Sequence, residues 1–166
     1  MKHLYLIGGT MGVGKTTICQ LLKKILPNSV FLDGDWCWDA NPFQVTDETK
    51  AMVLDNICHL LNNFIACSAY ETIIFCWVMH QQSIIDDITS RLRLNGIQLH
   101  CVSLICDEAP LRQRLEKDIA SGLRQPDIVE RSLSRLSLYA GLDTQKIDTS
   151  GKDPTQIAGI LAKLQD

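Results

Sequence analysis

The chain has 166 residues, 46% apolar and 21% charged, with a formal net charge of −3. That length and composition suit a single globular domain spanning 1–166 with its own core, and the charge argues against a nucleic-acid scaffold. No apolar run of about 18 residues exists to span a membrane, so neither a nucleic acid nor a membrane is expected as a partner.

The first apolar run, about 3–8, reads as strand 1, and its direct passage into a glycine-rich segment is unlike a signal peptide. That segment, Gly9-Thr10-Met11-Gly12-Val13-Gly14-Lys15-Thr16, is a complete G-x-x-x-x-G-K-T phosphate-binding loop. Ile18, Leu21, Leu22, Ile25 and Leu26 then recur at helical spacing, so a helix runs from Lys15 to about Leu26. The motif thus lies between a strand and a helix, where its chemistry works. Glycines let several backbone N–H groups point at one centre, and the helix N-terminus adds partial positive charge. Gly12, Val13, Gly14, Lys15, Thr16 and Thr17 are the expected nucleotide-binding residues. Lys15 is expected to reach the β- and γ-phosphates, and the Thr16 hydroxyl to hold Mg²⁺.

Strand 2 covers Ser29 to Leu32 and ends in Asp33-Gly34-Asp35. Two carboxylates two residues apart at a strand end can divide the work. Asp33 can join the Mg²⁺ shell beside Thr16, and Asp35 can accept a proton from an attacking hydroxyl. A polar turn has the same composition, but its place after the phosphate loop, one helix and one strand favours function. Trp36, Trp38 and Phe43 follow closely and are expected to cluster.

Thr46 or Asp47 can cap a long helix reaching about Ser68. Strand 3, Thr72 to Met79, is apolar throughout and ends near Trp77 and Met79. A helix from about Ser83 to Leu94 stops at Asn95-Gly96. Strand 4 is Gln98 to Cys106, after which Asp107 can cap a basic helix from Glu108 to about Ala120. A break at Ser121-Gly122 precedes a helix capped by Asp127 and running to about Tyr139; residues of about 118–128 form the expected small lid. Strand 5 is Lys146 to Thr149, and Pro154 suits the first position of the final helix. Alternating strands and helices predict a three-layer α/β fold with a five-stranded parallel sheet covered on both faces. Ligands then bind beyond the carboxyl ends of the strands. The seven cysteines form no C-x-x-C pair and read as reduced core residues of a cytoplasmic protein.

At this point the chain resembles the adenylate-kinase-like P-loop small-molecule kinases, especially the shikimate kinase and gluconate kinase branch, which carry D-x-D or D-G-D after strand 2. The resemblance implies the nucleotide-kinase strand order 2-3-1-4-5, ATP with Mg²⁺, and a small-molecule phosphate acceptor; a monomer or dimer is expected. It implies an adenine contact from Arg114 in Leu111-Arg112-Gln113-Arg114, and a phosphate contact from the lid arginine in Arg124-Gln125-Pro126. It implies an acceptor contact from Arg135, four residues before Tyr139. Asp148-Thr149-Ser150-Gly151-Lys152-Asp153-Pro154 is similar to the family's adenine loop, which implies Lys152 and Pro154 near the base. The chain departs from shikimate kinases after strand 3, where Cys76-Trp77-Val78-Met79-His80 replaces a triple-glycine turn. Residues 47–68 also lack the arginine that clamps shikimate there.

Physical logic supports some of these assignments by itself. A guanidinium on a mobile break such as Arg124 can cover charge developing on a transferred phosphoryl group. For Arg112, Arg114, Arg131 and Arg135 a solvated basic face is the plain alternative. Trp36, Trp38 and Trp77 can stack on a planar or apolar acceptor, such as a nucleobase or an antibiotic, or can be core. The assignments carried forward are catalytic Lys15, Asp35 and Arg124, metal-binding Thr16 and Asp33, and acceptor-binding Asp35, Trp36, Trp38, Trp77 and Arg135. The competing class is a nucleotide-binding regulatory ATPase or GTPase without an acceptor. Gln145-Lys146-Ile147-Asp148 misses a guanine motif by one residue, and Asp148-Thr149-Ser150-Gly151 matches a switch motif in the wrong order. Asp107 after Leu104-Ile105-Cys106 could serve a motor-type ATPase, or cap the helix that follows.

Overall fold

The computed structural model describes residues 1–166. Five strands, β1 (Lys2–Gly8), β2 (Ser29–Asp33), β3 (Thr72–Trp77), β4 (Ile97–Ile105) and β5 (Gln145–Asp148), form one sheet. Their order is β2-β3-β1-β4-β5, and every pairing is parallel. This is the expected strand order.

The helices are α1 (Lys15–Ile25), α2 (Asp47–Ala66), α3 (Gln82–Ser90), α4 (Glu108–Ala120), α5 (Ile128–Leu136) and α6 (Pro154–Ala162). Successive side chains of a strand point to opposite faces, so β1 serves two cores. Tyr5 and Ile7 pack with Ile18 and Leu22 of α1, Leu111 and Leu115 of α4, and Ile157 and Leu161 of α6. Leu4 and Leu6 pack with Ile57 and Leu61 of α2 and Ile85 and Ile88 of α3. A sheet buried on both faces explains the continuous apolar run of β3. No helix is long and apolar enough to cross a membrane.

Several ends differ from the expected ones, each for a local reason. β3 stops at Trp77, short of Met79, because its neighbour β1 ends at the paired Gly8 and turns into the phosphate loop. α3 stops at Ser90, short of Leu94. Asn62 of α2 accepts from the Arg93 N–H and donates to the Arg91 carbonyl, satisfying backbone groups that another helical turn would have used. α5 gives way to a tight helical turn over Ser137–Gly141. Asp107 and Asp127 precede their helices but neither side chain caps. Asp127 has helical backbone angles, φ −67 and ψ −14, instead of the extended ones a capping side chain needs. The Asp107 N–H donates to Ser150 Oγ, 2.9 Å away, tying the start of α4 to the loop after β5. Thr46 and Asp153 do cap, each within a capping box, and Pro154 opens α6.

Candidate active site

The phosphate loop leaves β1 at the carboxyl end of the sheet and enters α1. Gly12 and Gly14 have φ of 83 and 99, backbone that a side chain disfavours. At Gly12 a Cβ would also lie 2.6 Å from Leu115 Cδ2, so the loop is held against α4. Lys15 folds back over its own loop. Its Nζ donates to the Gly9 and Thr10 carbonyls at 2.7 and 3.0 Å. Burial lowers its pKa, opposed by the nearby Asp35 and Asp33 carboxylates. The Thr16 hydroxyl donates to Asp33 Oδ2 at 2.6 Å. A hydroxyl and a carboxylate in contact are hard oxygen donors of the kind Mg²⁺ takes, with its remaining positions left to water and phosphate. The pair therefore fits that ion.

Asp33 is buried and uses its second oxygen on the next element. Oδ1 accepts from the Asp35 N–H at 3.0 Å, capping a single helical turn over Gly34–Trp38. The turn is of the 3-10 type, with three residues per turn, so side chains at i and i+3 eclipse. Asp35 and Trp38 therefore share a face, and Trp36 does not. This corrects the expected cluster of three aromatics. Trp38 packs edge-on against Phe43 and Trp77, with ring centroids 4.9 and 5.9 Å away. Trp36 instead packs against Phe31, 5.3 Å away, which belongs to the core on the opposite face of the sheet.

Trp77 reaches Asp35 from the end of β3, its Nε1–H donating to Asp35 Oδ1 at 3.1 Å. The two side chains meet because Gly34 lets the turn approach the indole. A Cβ on Gly34 would sit 2.5 Å from Trp77 Cγ. Burial by neighbouring groups raises the Asp35 pKa, and the Asp33 charge adds to this, while Lys15, the Trp77 hydrogen bond and Arg124 partly oppose it. Asp35 still presents exposed surface, so it is accessible to a ligand. We expect Gly34→Ala to overpack the contact, at about 1–3 kcal/mol. Thermal denaturation should show a midpoint lower by several degrees, and tryptophan emission should change as Trp77 is displaced. An unchanged midpoint with unchanged emission would show that the close approach is unimportant.

Arg124 lies in the turn between α4 and α5, where Gly122 has φ 77. Its Nε–H donates to Asp118 Oδ2 at 3.0 Å, and its charge acts on both Lys15 and Asp35. The expected lid segment thus comprises the end of α4, this turn and the first residue of α5. Arg135 of α5 acts on His80, just beyond the end of β3, and on Tyr139, which contacts the Gly9 backbone at the start of the phosphate loop.

On the other side of the phosphate loop is a cavity of about 260 Å³. Gly12, Val13, Gly14 and Thr17 form one wall, and Arg114, Lys152 and Pro154 the other. Arg114 Nη1 also donates to the Val13 carbonyl at 3.3 Å. Thr149 joins the lining and was not among the expected residues. It is buried, its N–H and hydroxyl donating to the Ile105 carbonyl at 2.7 and 3.0 Å. Asp118 and Gly34 were missed too. The glycine between the two carboxylates of Asp33-Gly34-Asp35 was the available signal for Gly34; nothing local marked Asp118 as the partner of Arg124.

A model of the AAA domain family matches residues 6–132, a span that runs from β1 through the phosphate loop and Asp33–Asp35 into α5. The chain belongs to this AAA-domain P-loop family. No curated protein sequence matches it. Solved structures with the same fold are similar along nearly the whole chain. The tunicamycin resistance protein of Deinococcus radiodurans is 23% identical, with a TM-score of 0.72 over 99% of this chain and 96% of that one. A gluconokinase from Sinorhizobium meliloti 1021 is 18% identical, with a TM-score of 0.67 over 98% of this chain and 95% of that one. A shikimate kinase from Acinetobacter baumannii is 18% identical, with a TM-score of 0.62 over 99% of this chain and 93% of that one. The architecture of this AAA-domain protein is therefore that of the P-loop small-molecule kinases.

Proposed function

We propose that the protein is an ATP- and Mg²⁺-dependent phosphotransferase that moves the γ-phosphate of ATP to a hydroxyl or phosphate of a small molecule. The observation that carries this reading is Asp35, an accessible carboxylate with a raised pKa, one short turn beyond the Thr16–Asp33 contact and within the field of Lys15 and Arg124. A regulatory nucleotide-binding protein has no need of a second carboxylate held in this way.

In the proposed arrangement ATP lies along the phosphate loop, its base in the cavity beside Arg114, Lys152 and Pro154. Thr16 and Asp33 hold Mg²⁺, which when bound neutralises charge on the phosphates. Asp35 takes the proton of the acceptor hydroxyl as its oxygen attacks the γ-phosphorus. The bond from that phosphorus to the β–γ bridging oxygen breaks, and ADP leaves. Lys15 leaves its loop carbonyls to contact the phosphates, and Arg124 leaves Asp118 to cover charge developing in the transition state. The exchange gives up hydrogen bonds already present in the free protein, so only the difference between the new contacts and the old ones adds to ATP binding. The proposed setting is cytoplasmic, with the chain acting as a monomer or dimer and without nucleic-acid or membrane partners.

The shared fold with gluconokinase, shikimate kinase and the tunicamycin resistance protein supports sugar acids, other hydroxylated metabolites and antibiotics as acceptors worth testing. ADP release should be followed with ATP and Mg²⁺ over nucleosides, nucleotides, sugars, sugar acids and hydroxylated antibiotics. One acceptor should raise turnover by at least about a hundredfold, equivalent to roughly 2.7 kcal/mol of barrier. Tight ATP binding with no stimulation by any acceptor would favour the regulatory ATPase or GTPase.

A further inference from the structure

The acceptor side of Asp35 is poor in cations and rich in aromatic surface. Between Lys24 and Arg91 the sequence contains one lysine, Lys50, and no arginine. This stretch includes the Gly34–Trp38 turn, the loop after it, all of α2 and the end of β3. The same stretch carries Asp39, Asp47, Glu48, Asp55, Glu71, Asp86 and Asp87 besides Asp33 and Asp35. The cations acting on Asp35 are Lys15 and Arg124, which the proposed chemistry assigns to the ATP phosphates. A carboxylate or phosphate on the acceptor would enter these acidic surroundings with one further cation, Arg135, whose charge reaches His80 beyond the end of β3, set against several carboxylates, which costs affinity.

What the segment offers instead is a ring system. Trp38 stands against Trp77 and Phe43, Trp77 is hydrogen-bonded to Asp35, and 57% of Phe43 remains exposed. An aromatic wall directly beside the reacting carboxylate can take the flat or apolar face of a ligand, or a cation over its rings. Resting on the kinase reading of this site, we infer that the acceptor is not anionic: it is an uncharged or amine-bearing hydroxyl compound whose planar or apolar face packs on Trp38, Trp77 and Phe43. Nucleosides and amino sugars fall in this class; nucleoside monophosphates, sugar acids and shikimate fall outside it.

The test uses matched pairs: uridine with uridine monophosphate, adenosine with adenosine monophosphate, and glucosamine with gluconate. Each is titrated into the full chain with Mg²⁺ and a non-hydrolysable ATP analogue, and read by tryptophan emission. The chain has three tryptophans, Trp36, Trp38 and Trp77, all at this end of the sheet, so the signal is local. ADP release with ATP is measured in parallel. We expect at least one uncharged or amine-bearing member to bind about tenfold or more tightly than its anionic counterpart. Uridine or adenosine responding supports stacking, and glucosamine responding supports cation–aromatic contact. Phe43→Ala should weaken the responding ligand about tenfold, and in Arg135→Ala the uncharged or amine-bearing member should still bind more tightly than its anionic counterpart. A preference for the anionic members, with or without Arg135, overturns the inference and leaves the kinase reading intact. Binding without ADP release supports the aromatic wall as a site for this ligand class and overturns the kinase reading for it. Silence in emission across the whole panel overturns the aromatic wall as an acceptor site.

Discussion

Lys15→Ala is expected to lose both ATP binding and turnover. The ammonium now bonds the Gly9 and Thr10 carbonyls, at 2.7 and 3.0 Å, and these contacts keep its charge on the phosphate loop. Truncation removes the loop's own positive charge and leaves two carbonyls without their donor. Charge-assisted hydrogen bonds contribute about 1.5–3 kcal/mol each, so the loss of one or two predicts about a hundredfold weaker ATP binding. Turnover should fall by about a thousandfold or more, because the same charge also opposes the transition-state charge. Calorimetric titration with ATP and ADP-release kinetics measure the two quantities separately. Circular dichroism should show an intact fold, since the side chain contributes no apolar core. A variant with normal binding and normal turnover would overturn the central assignment.

Asp35→Asn is expected to abolish transfer while leaving ATP affinity within a fewfold. The amide keeps an oxygen for the Trp77 Nε1–H and preserves the shape of the Gly34–Trp38 turn. It removes the group that accepts the acceptor proton, a role that contributes about 10²–10⁴ in rate. A comparable loss of ATP binding would sink the assignment of Asp35 as base. The pH dependence adds a second readout. Burial and the Asp33 charge raise the Asp35 pKa, so the acidic limb of kcat/KM for the acceptor should lie above the ordinary aspartate value of about 3.9. The same limb should vanish in the asparagine variant.

The sign for stability is opposite to the sign for activity. A carboxyl with a raised folded-state pKa binds more protons folded than unfolded between its two pKa values, so stability falls as pH rises through that window. At neutral pH the ionised Asp35 therefore disfavours folding, and Asp35→Asn should leave the thermal midpoint unchanged or raise it. A fall of more than about 5 °C, beyond what loss of one surface contact gives in a domain of this size, would mark Asp35 as structural. Such a group, costly to the fold and retained beside the phosphate loop, is what a reactive site is expected to contain.

The helix and strand ends show where local pattern was sufficient. The Thr46 capping box and Pro154 at the start of α6 are contiguous signals, and both elements begin where those residues place them. α3 is shorter than its periodicity suggests because Asn62, on another helix, satisfies the backbone at Arg91 and Arg93. Asp107 and Asp127 have the composition of caps but not the contacts, because the backbone around them answers to the Ser150 contact and to a helical Asp127. A cap is chemistry plus dihedral angles, and sequence conveys only the first.

The site divides in the same way. The phosphate-loop motif was legible because its glycines, Lys15 and Thr16 fall within eight residues and act mainly through backbone geometry that the motif itself dictates. The parallel sheet was legible because burial on both faces forces a continuous apolar strand. The partners across the site were not. Whether Trp77 meets Asp35 depends on the register of β3 against β1 and on the room left by Gly34. Whether Trp36 joins Trp38 depends on the pitch of one helical turn. Whether Arg124 is held by Asp118 depends on how the chain reverses after α4. By itself the sequence determined the phosphate-loop motif and the layered architecture, since both follow from contiguous residues and periodic burial. Only the tertiary structure decided which aromatic and charged groups surround Asp35, because side-chain directions there are set by packing between segments far apart in the chain.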